Sequence, residues 1–300
     1  MLGRGTNVLM QPEEGLETVF KNRIPIDPNE WLCLEKGLQN ASMRAVDLLT
    51  PIGKGQRGLI VSPPKAGKTI LLKQLCQAIV KTAPEVKTYC LLVDERPEEV
   101  TDFKRSVPAE VVSSSNDRPS DEHVALAQQF IKKVSREAAD GADVVVLLDS
   151  LTRLARAHNA QANGRRTLSG GLDSRAMELP RKFFGAARNL EGGGSLTIIA
   201  TILVDTGSRM DEVIFQEFKG TGNMELVLSR AAAESRLFPA INVRASGTRK
   251  EEKLLPPETL QGVWRLRRAL SSLPDLEATR YLVDLVEKYP TNQSLLKTLI

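Results

Sequence analysis

Leu59-Ile60-Val61-Ser62-Pro63-Pro64-Lys65-Ala66-Gly67-Lys68-Thr69, followed at once by Ile70-Leu71-Leu72, decides how this chain is read. A short apolar run leads into a Pro- and Gly-containing turn, and a helical pattern opens at Thr69. In a strand–loop–helix of this kind, backbone N–H groups and the helix N-terminus meet phosphate, and a lysine neutralises the β/γ oxygens. The threonine hydroxyl is then the magnesium ligand. Pro64, Lys65, Ala66, Gly67, Lys68, Thr69 and Ile70 are the candidate nucleotide contacts. The general pattern has glycine five positions before Gly67, where this chain has Ser62. Pro63-Pro64 can stiffen the turn instead, since proline restricts its own φ and its predecessor's conformation. The plainer reading is a lysine-rich turn opening a helix, and the flanking strand and helix count against it.

Outward from the loop, short Val/Ile/Leu-rich runs predict buried strands at Gly58–Ser62, Thr88–Asp94, Glu110–Ser114, Asp143–Asp149 and Ser195–Val204. Met224–Ser229 and Ala240–Val243 read as further strands. Helices are expected around Thr69–Lys81, Asp121–Ala139 and Ser174–Ala187, and three more close the chain at Pro257–Ser271, Leu276–Lys288 and Asn292–Leu299. Strands alternating with helices predict an α/β fold with a mostly parallel central sheet covered on both faces. Residues 1–44 lack sustained periodicity and read as a connector, partly loop, ahead of one domain over 45–300.

A phosphate loop needs acids beside it. Val144–Leu148 ends in Asp149, a candidate metal-holding carboxylate on the same sheet edge as the loop. Asp149 also precedes a helical stretch, so it can equally be a helix N-cap. Leu91-Leu92-Val93-Asp94-Glu95-Arg96 ends in a second acid, Glu95, the candidate for activating water. A solvated Glu95–Arg96 charge pair is the bland reading of the same residues.

Composition narrows the alternatives. Hydrophobic residues make up 41% and charged residues 26%, as in ordinary globular chains. No apolar run reaches the roughly 18 residues of a membrane span, and no signal-peptide pattern opens the chain, so the cytoplasm is the expected location. Three cysteines, Cys33, Cys76 and Cys90, form no paired ligand motif. His123 and His158 lie on expected helices without a second ligand at metal spacing. Aromatics at 4% exclude a broad base-stacking platform.

Beyond these local readings, several long stretches resemble the ATPase core of bacterial transcription termination factor Rho. They are Gly53–Thr69, Asp94–Thr101, Leu148–Arg156, Phe183–Asn189, Asp205–Glu212, Phe218–Glu225 and Ser246–Glu252, in the family's order. The resemblance runs from about Ala45 to the C-terminus. It implies a RecA-like P-loop fold, hydrolysis of ATP with Mg2+ between subunits of a hexameric ring, and single-stranded RNA in the central channel. Carried over, Lys65, Lys68 and Thr69 contact phosphate and magnesium, Glu95 activates water, Asp149 is the metal-linked acid and Arg96 a supporting charge. Arg249 matches an arginine finger reaching a neighbour's γ-phosphate, Arg236 a second interface arginine, and Phe238 an aromatic packing on adenine. Without the family, Arg249 is one cation in a solvated Arg-Lys-Glu-Glu run.

Two segments correspond to the family's channel loops, Asn163–Gly171 and Asp205–Asp211. Their implied RNA contacts are Arg165, Arg166, Thr167, Gly170, Gly171, Thr206, Gly207, Ser208 and Arg209. Arg209 stands where the family usually has lysine, and the first loop is about one residue shorter. Full-length Rho also has an N-terminal barrel that captures RNA, and the residues before Ala45 are too few for one. The resemblance therefore implies either a short natural relative or part of a longer protein. Two functions follow: an RNA-dependent ATPase and translocase, partnered by RNA polymerase in the family, or a component that co-assembles with a full-length Rho and modulates it. A rotary-ATPase subunit or DNA recombinase shares the fold, but the channel-loop motifs and the Ser246–Glu252 run count against it.

Overall fold

Runs of Val, Ile and Leu that alternate their side chains across a sheet need apolar cover on both faces. The computed structural model of the protein, which describes residues 16–161, 169–173 and 175–299, shows where that cover comes from. Its strands are β1 (Pro25–Ile26), β2 (Arg57–Ser62), β3 (Lys87–Glu95), β4 (Glu110–Ser115), β5 (Asp143–Asp149), β6 (Arg188–Leu190), β7 (Ser195–Leu203), β8 (Met224–Val227) and β9 (Gly247–Thr248). They form one sheet in the order β4-β3-β5-β7-β2-β8-β9, with β6 joined to β7 and β1 to β6. From β4 to β8 every neighbour is parallel, while β9, β6 and β1 pair antiparallel. The expected mostly parallel α/β sheet is therefore present.

Alternation sorts the strand residues onto two cores. Ile60, Cys90, Leu92, Val145, Leu147 and Ile199 point to one face, with the helices Ala41–Leu49, Lys68–Thr82 and the C-terminal Pro257–Ser271 and Asp275–Lys288. Leu59, Val61, Leu91, Val144, Val146 and Ile198 point to the other, under Ser120–Ala139, Leu151–Ala160 and Glu178–Gly185. Helix Lys68–Thr82 buries Leu71, Leu72, Leu75, Cys76, Ala78 and Ile79, the three- and four-residue spacing of one helical stripe. Burying each of its leucines contributes about 2 kcal/mol.

Three expectations are corrected. Ala240–Val243 is not a strand: only one bridge forms, Leu228 to Ile241. Asn242 ends the pairing, because its side chain accepts from Ala245 N at 3.0 Å and its carbonyl from Ser246 Oγ at 2.7 Å, closing a turn. The helix expected from Ser174 starts at Glu178. Ahead of it Asp173 turns the chain, its Oδ1 accepting from Arg175 N at 2.8 Å and its carbonyl from Ala176 N at 3.0 Å; Ser174 lies outside the described residues. The described part of the connector, residues 16–44, also carries more regular structure than its weak periodicity implies. Helix Ala41–Leu49 begins at its end and continues into the core, capped by the Asn40 side chain, which accepts from Met43 N.

Buried polar groups tie the connector down. Asp47 accepts from Leu34 N at 3.1 Å and Glu35 N at 2.8 Å, and burial pushes its carboxyl up to about 7. Lys54, buried beneath the sheet, pairs with Asp143 at 2.9 Å and with Glu30 of the connector. No helix among the described residues is long and apolar enough to cross a membrane.

Candidate nucleotide site

Parallel strands deliver their C-terminal ends to one edge of the sheet, and the expected site residues collect there. β2 ends at Ser62, which is still in the ladder opposite Leu203. That explains its tolerance in place of glycine: the left-handed turns come later, at Lys65 (φ 65°) and Gly67 (φ 88°). Gly67 is the residue before helix Lys68–Thr82 and has no side chain to occupy the cap. The open N–H groups of the helix start therefore face outward as an anion cradle. The exposed Phe238 ring stands beside it, since a Cβ built on Gly67 would meet Phe238 Cε1 at 3.5 Å. Ile70 is also exposed, on the first helical turn.

β5, two strands from β2, and β3, three strands from it, bring their acids together. Lys68 Nζ is ion-paired with Asp149 Oδ1 and lies 3.6 Å from Glu95 Oε1. Thr201, on the intervening β7, donates to Asp149 Oδ1 at 2.8 Å. Glu95 is 4% exposed. Burial, reinforced by the Asp149 carboxylate and opposed by Lys68 and Arg153, pushes its carboxyl up to about 7. Arg153 Nη2 donates to Glu95 Oε2 at 3.1 Å. Arg153 Nε lies 3.0 Å from Glu95 Oε1, an ion pair without hydrogen-bond alignment, so Oε1 is left with no hydrogen bond. A buried carboxylate oxygen with an unused lone pair can accept from a water held beside it.

Magnesium can be tested against these donors. Mg2+ binds one or two protein oxygens and takes the rest of its shell from phosphate and water. Thr69 and Asp149 offer that hard-oxygen set, and no cluster of three His, Cys, Asp or Glu able to cage a metal occurs among the described residues. The residues fit.

Other expected residues are distributed differently. Arg96 is turned away and pairs only loosely with Glu99, at 4.0 Å; the guanidinium on Glu95 is Arg153. Arg153 lies in the first turn of the helix Leu151–Ala160, three residues after its N-cap Ser150, whose side chain accepts from Arg153 N at 3.2 Å. Arg236 is exposed, in a left-handed turn (φ 57°) two residues before Phe238. Arg249 is at the other end of the sheet. It follows β9, whose Thr248 pairs with Met224, and Met224 pairs with Gly58 at the start of β2. The phosphate loop leaves β2 at its far end, roughly 13 Å away along the strand. Arg249 donates to Gly220 O at 3.2 Å and does not meet Lys68 in its own chain.

Arg165, Arg166 and Thr167 lie outside the described residues. Gly170 and Gly171 are described, and they pack against the second expected loop: a Cβ on Gly170 would sit 3.0 Å from the Arg209 carbonyl and Met210 N. Asn159 fixes the glycine segment, donating to Gly171 O at 3.2 Å and accepting from Asp173 N at 2.7 Å, and its Nδ2 also lies 3.9 Å from Met210 Sδ, next to Arg209. In the second loop Thr206 donates to Asp211 Oδ2 at 2.7 Å, Ser208 caps the helix Arg209–Phe218, Gly207 has φ 77°, and Arg209 is exposed. Arg156 Nε donates to Asp211 Oδ1 at 2.8 Å. One helix, Leu151–Ala160, thus touches Glu95 through Arg153 and the glycine–Arg209 loops through Arg156 and Asn159.

Comparison with known proteins agrees with this geometry. Residues 42–248 match the nucleotide-binding domain of the ATP synthase alpha/beta family. The transcription termination factor Rho of Micrococcus luteus is 57% identical over 279 residues, covering 92% of this chain and 40% of its own length. That of Streptosporangium roseum is 54% identical over 279 residues, covering 93% and 72%, and that of Haemophilus influenzae 52% over 286, covering 94% and 68%. The chain therefore spans between 40% and 72% of these relatives. Among solved structures, a prototypical ATPase from the type III secretion system of pathogenic bacteria superposes with a TM-score of 0.75 at 21% identity, over 92% of this chain and 86% of that one. The assembled ATPase EscN of enteropathogenic E. coli gives 0.75 at 22%, over 92% and 73%. That likeness is one of fold. Identity above one half across more than nine-tenths of the chain is more specific, and it places this protein in the family of transcription termination factor Rho.

Proposed function

We propose that the chain hydrolyses ATP at a site shared between neighbouring copies, and that single-stranded RNA in the centre of the resulting ring, hexameric as the resemblance implies, stimulates the reaction. The observation that carries this reading is the helix Leu151–Ala160, which contacts the water-activating acid at one end and the candidate RNA loops at the other. Movement of Arg209 or Gly170 by a bound strand shifts Asp211 and Asn159, and the same helix carries Arg153 against Glu95.

At the phosphate end, the N–H groups from Lys65 to Thr69 and the Lys68 ammonium hold the triphosphate, and Phe238 stacks on the base. Thr69 and Asp149 would hold Mg2+, which neutralises charge on the β and γ oxygens when bound. Glu95 Oε1 takes the proton of the attacking water, oriented by Arg153. Arg249 of a neighbouring copy stabilises the charge that develops on the γ-phosphate, with Arg236 near the same interface. The intact acid cluster counts against a purely regulatory component that depends on a full-length Rho. RNA polymerase is the partner implied by family membership.

The deciding experiment is ATP turnover with and without poly-C RNA, with oligomer mass followed in the same samples. RNA should raise turnover at least several-fold in the assembled form. A rate indifferent to every RNA tested, in a confirmed oligomer, sinks the RNA-dependent reading.

A pH dependence follows from Glu95. Its carboxyl titrates near 7 in the free protein, and only the ionised form accepts a proton. Thus kcat/KM, which reports the free enzyme, should rise with pH through a midpoint near 7 and level off above it. Glu95→Gln should lower the plateau by about 10² to 10⁴-fold and remove the acid limb. A limb of unchanged midpoint in Glu95→Gln would assign it to another group.

A further inference from the structure

Immediately after Arg249 the chain makes a sharp turn at Lys250, whose φ of 57° and ψ of 37° are left-handed. A residue with a side chain stays in that region only when its surroundings hold it there. Those surroundings come from the connector. Lys250 Nζ lies 2.9 Å from both carboxylate oxygens of Asp27, and Lys253 Nζ lies 2.6 Å from Asp27 Oδ2. One carboxylate therefore bridges two ammonium groups of the same turn, which Lys253 N closes by donating to Lys250 O at 3.0 Å.

Asp27 is itself anchored. It directly follows β1, which pairs with β6, and Asn189 of β6 donates to Asn29 Oδ1 at 3.0 Å. An apolar contact runs alongside: a Cβ on Gly53 would meet Pro28 Cβ at 2.9 Å and Leu254 Cδ2 at 2.5 Å, so Pro28 and Leu254 close over the same glycine. On the far side of the turn Glu251 accepts from Trp264 Nε1 at 2.9 Å and faces Arg267 at 4.0 Å. The two lysines hold the Asp27 carboxyl below the usual carboxylate range, so it is charged at neutral pH.

We infer that Asp27 is a positioning residue for Arg249: by bridging Lys250 and Lys253 it holds the turn that sets where the guanidinium lies, beside Gly220 O in its own chain, and it ties that position to the connector. The inference rests on the reading of Arg249 as a finger that acts on a neighbouring copy. Among the described residues, nothing in the phosphate site of the same chain touches this clasp, so the effect of losing it belongs to the adjacent subunit's reaction.

The full chain carrying Asp27→Asn should assemble normally and bind ATP with unchanged KM, while kcat falls about two- to fivefold, the range for losing exposed ion pairs. Asp27→Glu should restore most of it, and Lys250→Gln with Lys253→Gln should reproduce the loss. Mixed assemblies locate the effect. Arg249→Ala subunits mixed with Lys68→Ala subunits should recover turnover, because each intact phosphate site then borrows a neighbour's arginine. Adding Asp27→Asn to the Lys68→Ala subunit should lower that recovery, whereas adding it to the Arg249→Ala subunit should not. Equal losses in both placements would mean a general structural role and overturn the inference. Wild-type kcat in Asp27→Asn, with Arg249→Ala inactive, overturns it while the finger reading stands. An active Arg249→Ala removes the finger reading and the inference with it.

Discussion

Lys68→Ala is expected to bring ATP turnover to the assay background, a loss of about 10³-fold or more. Lys68 is the only described side chain that reaches both acids, ion-paired with Asp149 and 3.6 Å from Glu95, with its own side chain 15% exposed. When a triphosphate enters, the same ammonium faces the β and γ oxygens, so its removal takes positive charge from the reacting groups in a weakly screened setting. The variant also leaves two buried carboxylates facing one another. Glu95 already binds its proton more tightly in the folded state than the ordinary 4.5, so its contribution to stability is full at low pH and is lost as pH rises through about 7. Without Lys68 that loss deepens, because a cation opposing the shift is gone. Denaturant unfolding should therefore show Lys68→Ala more destabilised relative to wild type at pH 8 than at pH 6. Turnover within tenfold of wild type would remove the phosphate site from this loop.

Arg249→Ala should lower turnover by about 10³-fold while leaving ATP binding and thermal stability close to wild type. Separation from Lys68 is the reason. Arg249 follows the strand that pairs, through Met224, with the start of β2, and the phosphate loop leaves from the end of β2. Within one chain the arginine contacts Gly220 O, an exposed contact whose loss costs little. Its catalytic effect has to come from another copy, so the deficit should be recovered when Lys68→Ala subunits are mixed in. Arg249→Lys should recover little of it, because an ammonium cannot offer the two parallel N–H donors of a guanidinium. Full activity of Arg249→Ala in a confirmed oligomer would disprove a shared site.

Much of the architecture was legible because its signals are local. Val144–Leu148 could only be a strand covered on both faces, and its end at Asp149 was read to the residue. The errors lie where side chains override the apolar pattern. Ala240–Val243 has the composition of a strand, yet Asn242 bends the chain after one bridge. The helix that seemed to begin at Ser174 waits until Glu178 because Asp173 turns the backbone ahead of it. Which arginine meets Glu95 within the chain is likewise decided by the elements that carry them. Both are arginines near Glu95 or Asp149 in the chain, but Arg96 stands at the start of the Pro97–Ser106 helix and points outward, while the helix after Asp149 brings Arg153 back onto Glu95.

By itself the sequence determined the phosphate loop, the two acids at strand ends, the parallel sheet and the family. Each of these is written in contiguous residues whose spacing and polarity have one low-energy outcome. The tertiary structure alone decided which residues meet. Glu95, Asp149, Lys68 and Arg153 converge only because β3, β5 and β2 are parallel and end on one edge. Arg249 is separated from them by the length of β2, and Asp27 is brought to Lys250 across more than two hundred residues of chain. Contacts of that kind depend on strand order and on how far each strand runs, and neither is encoded in any single stretch of residues.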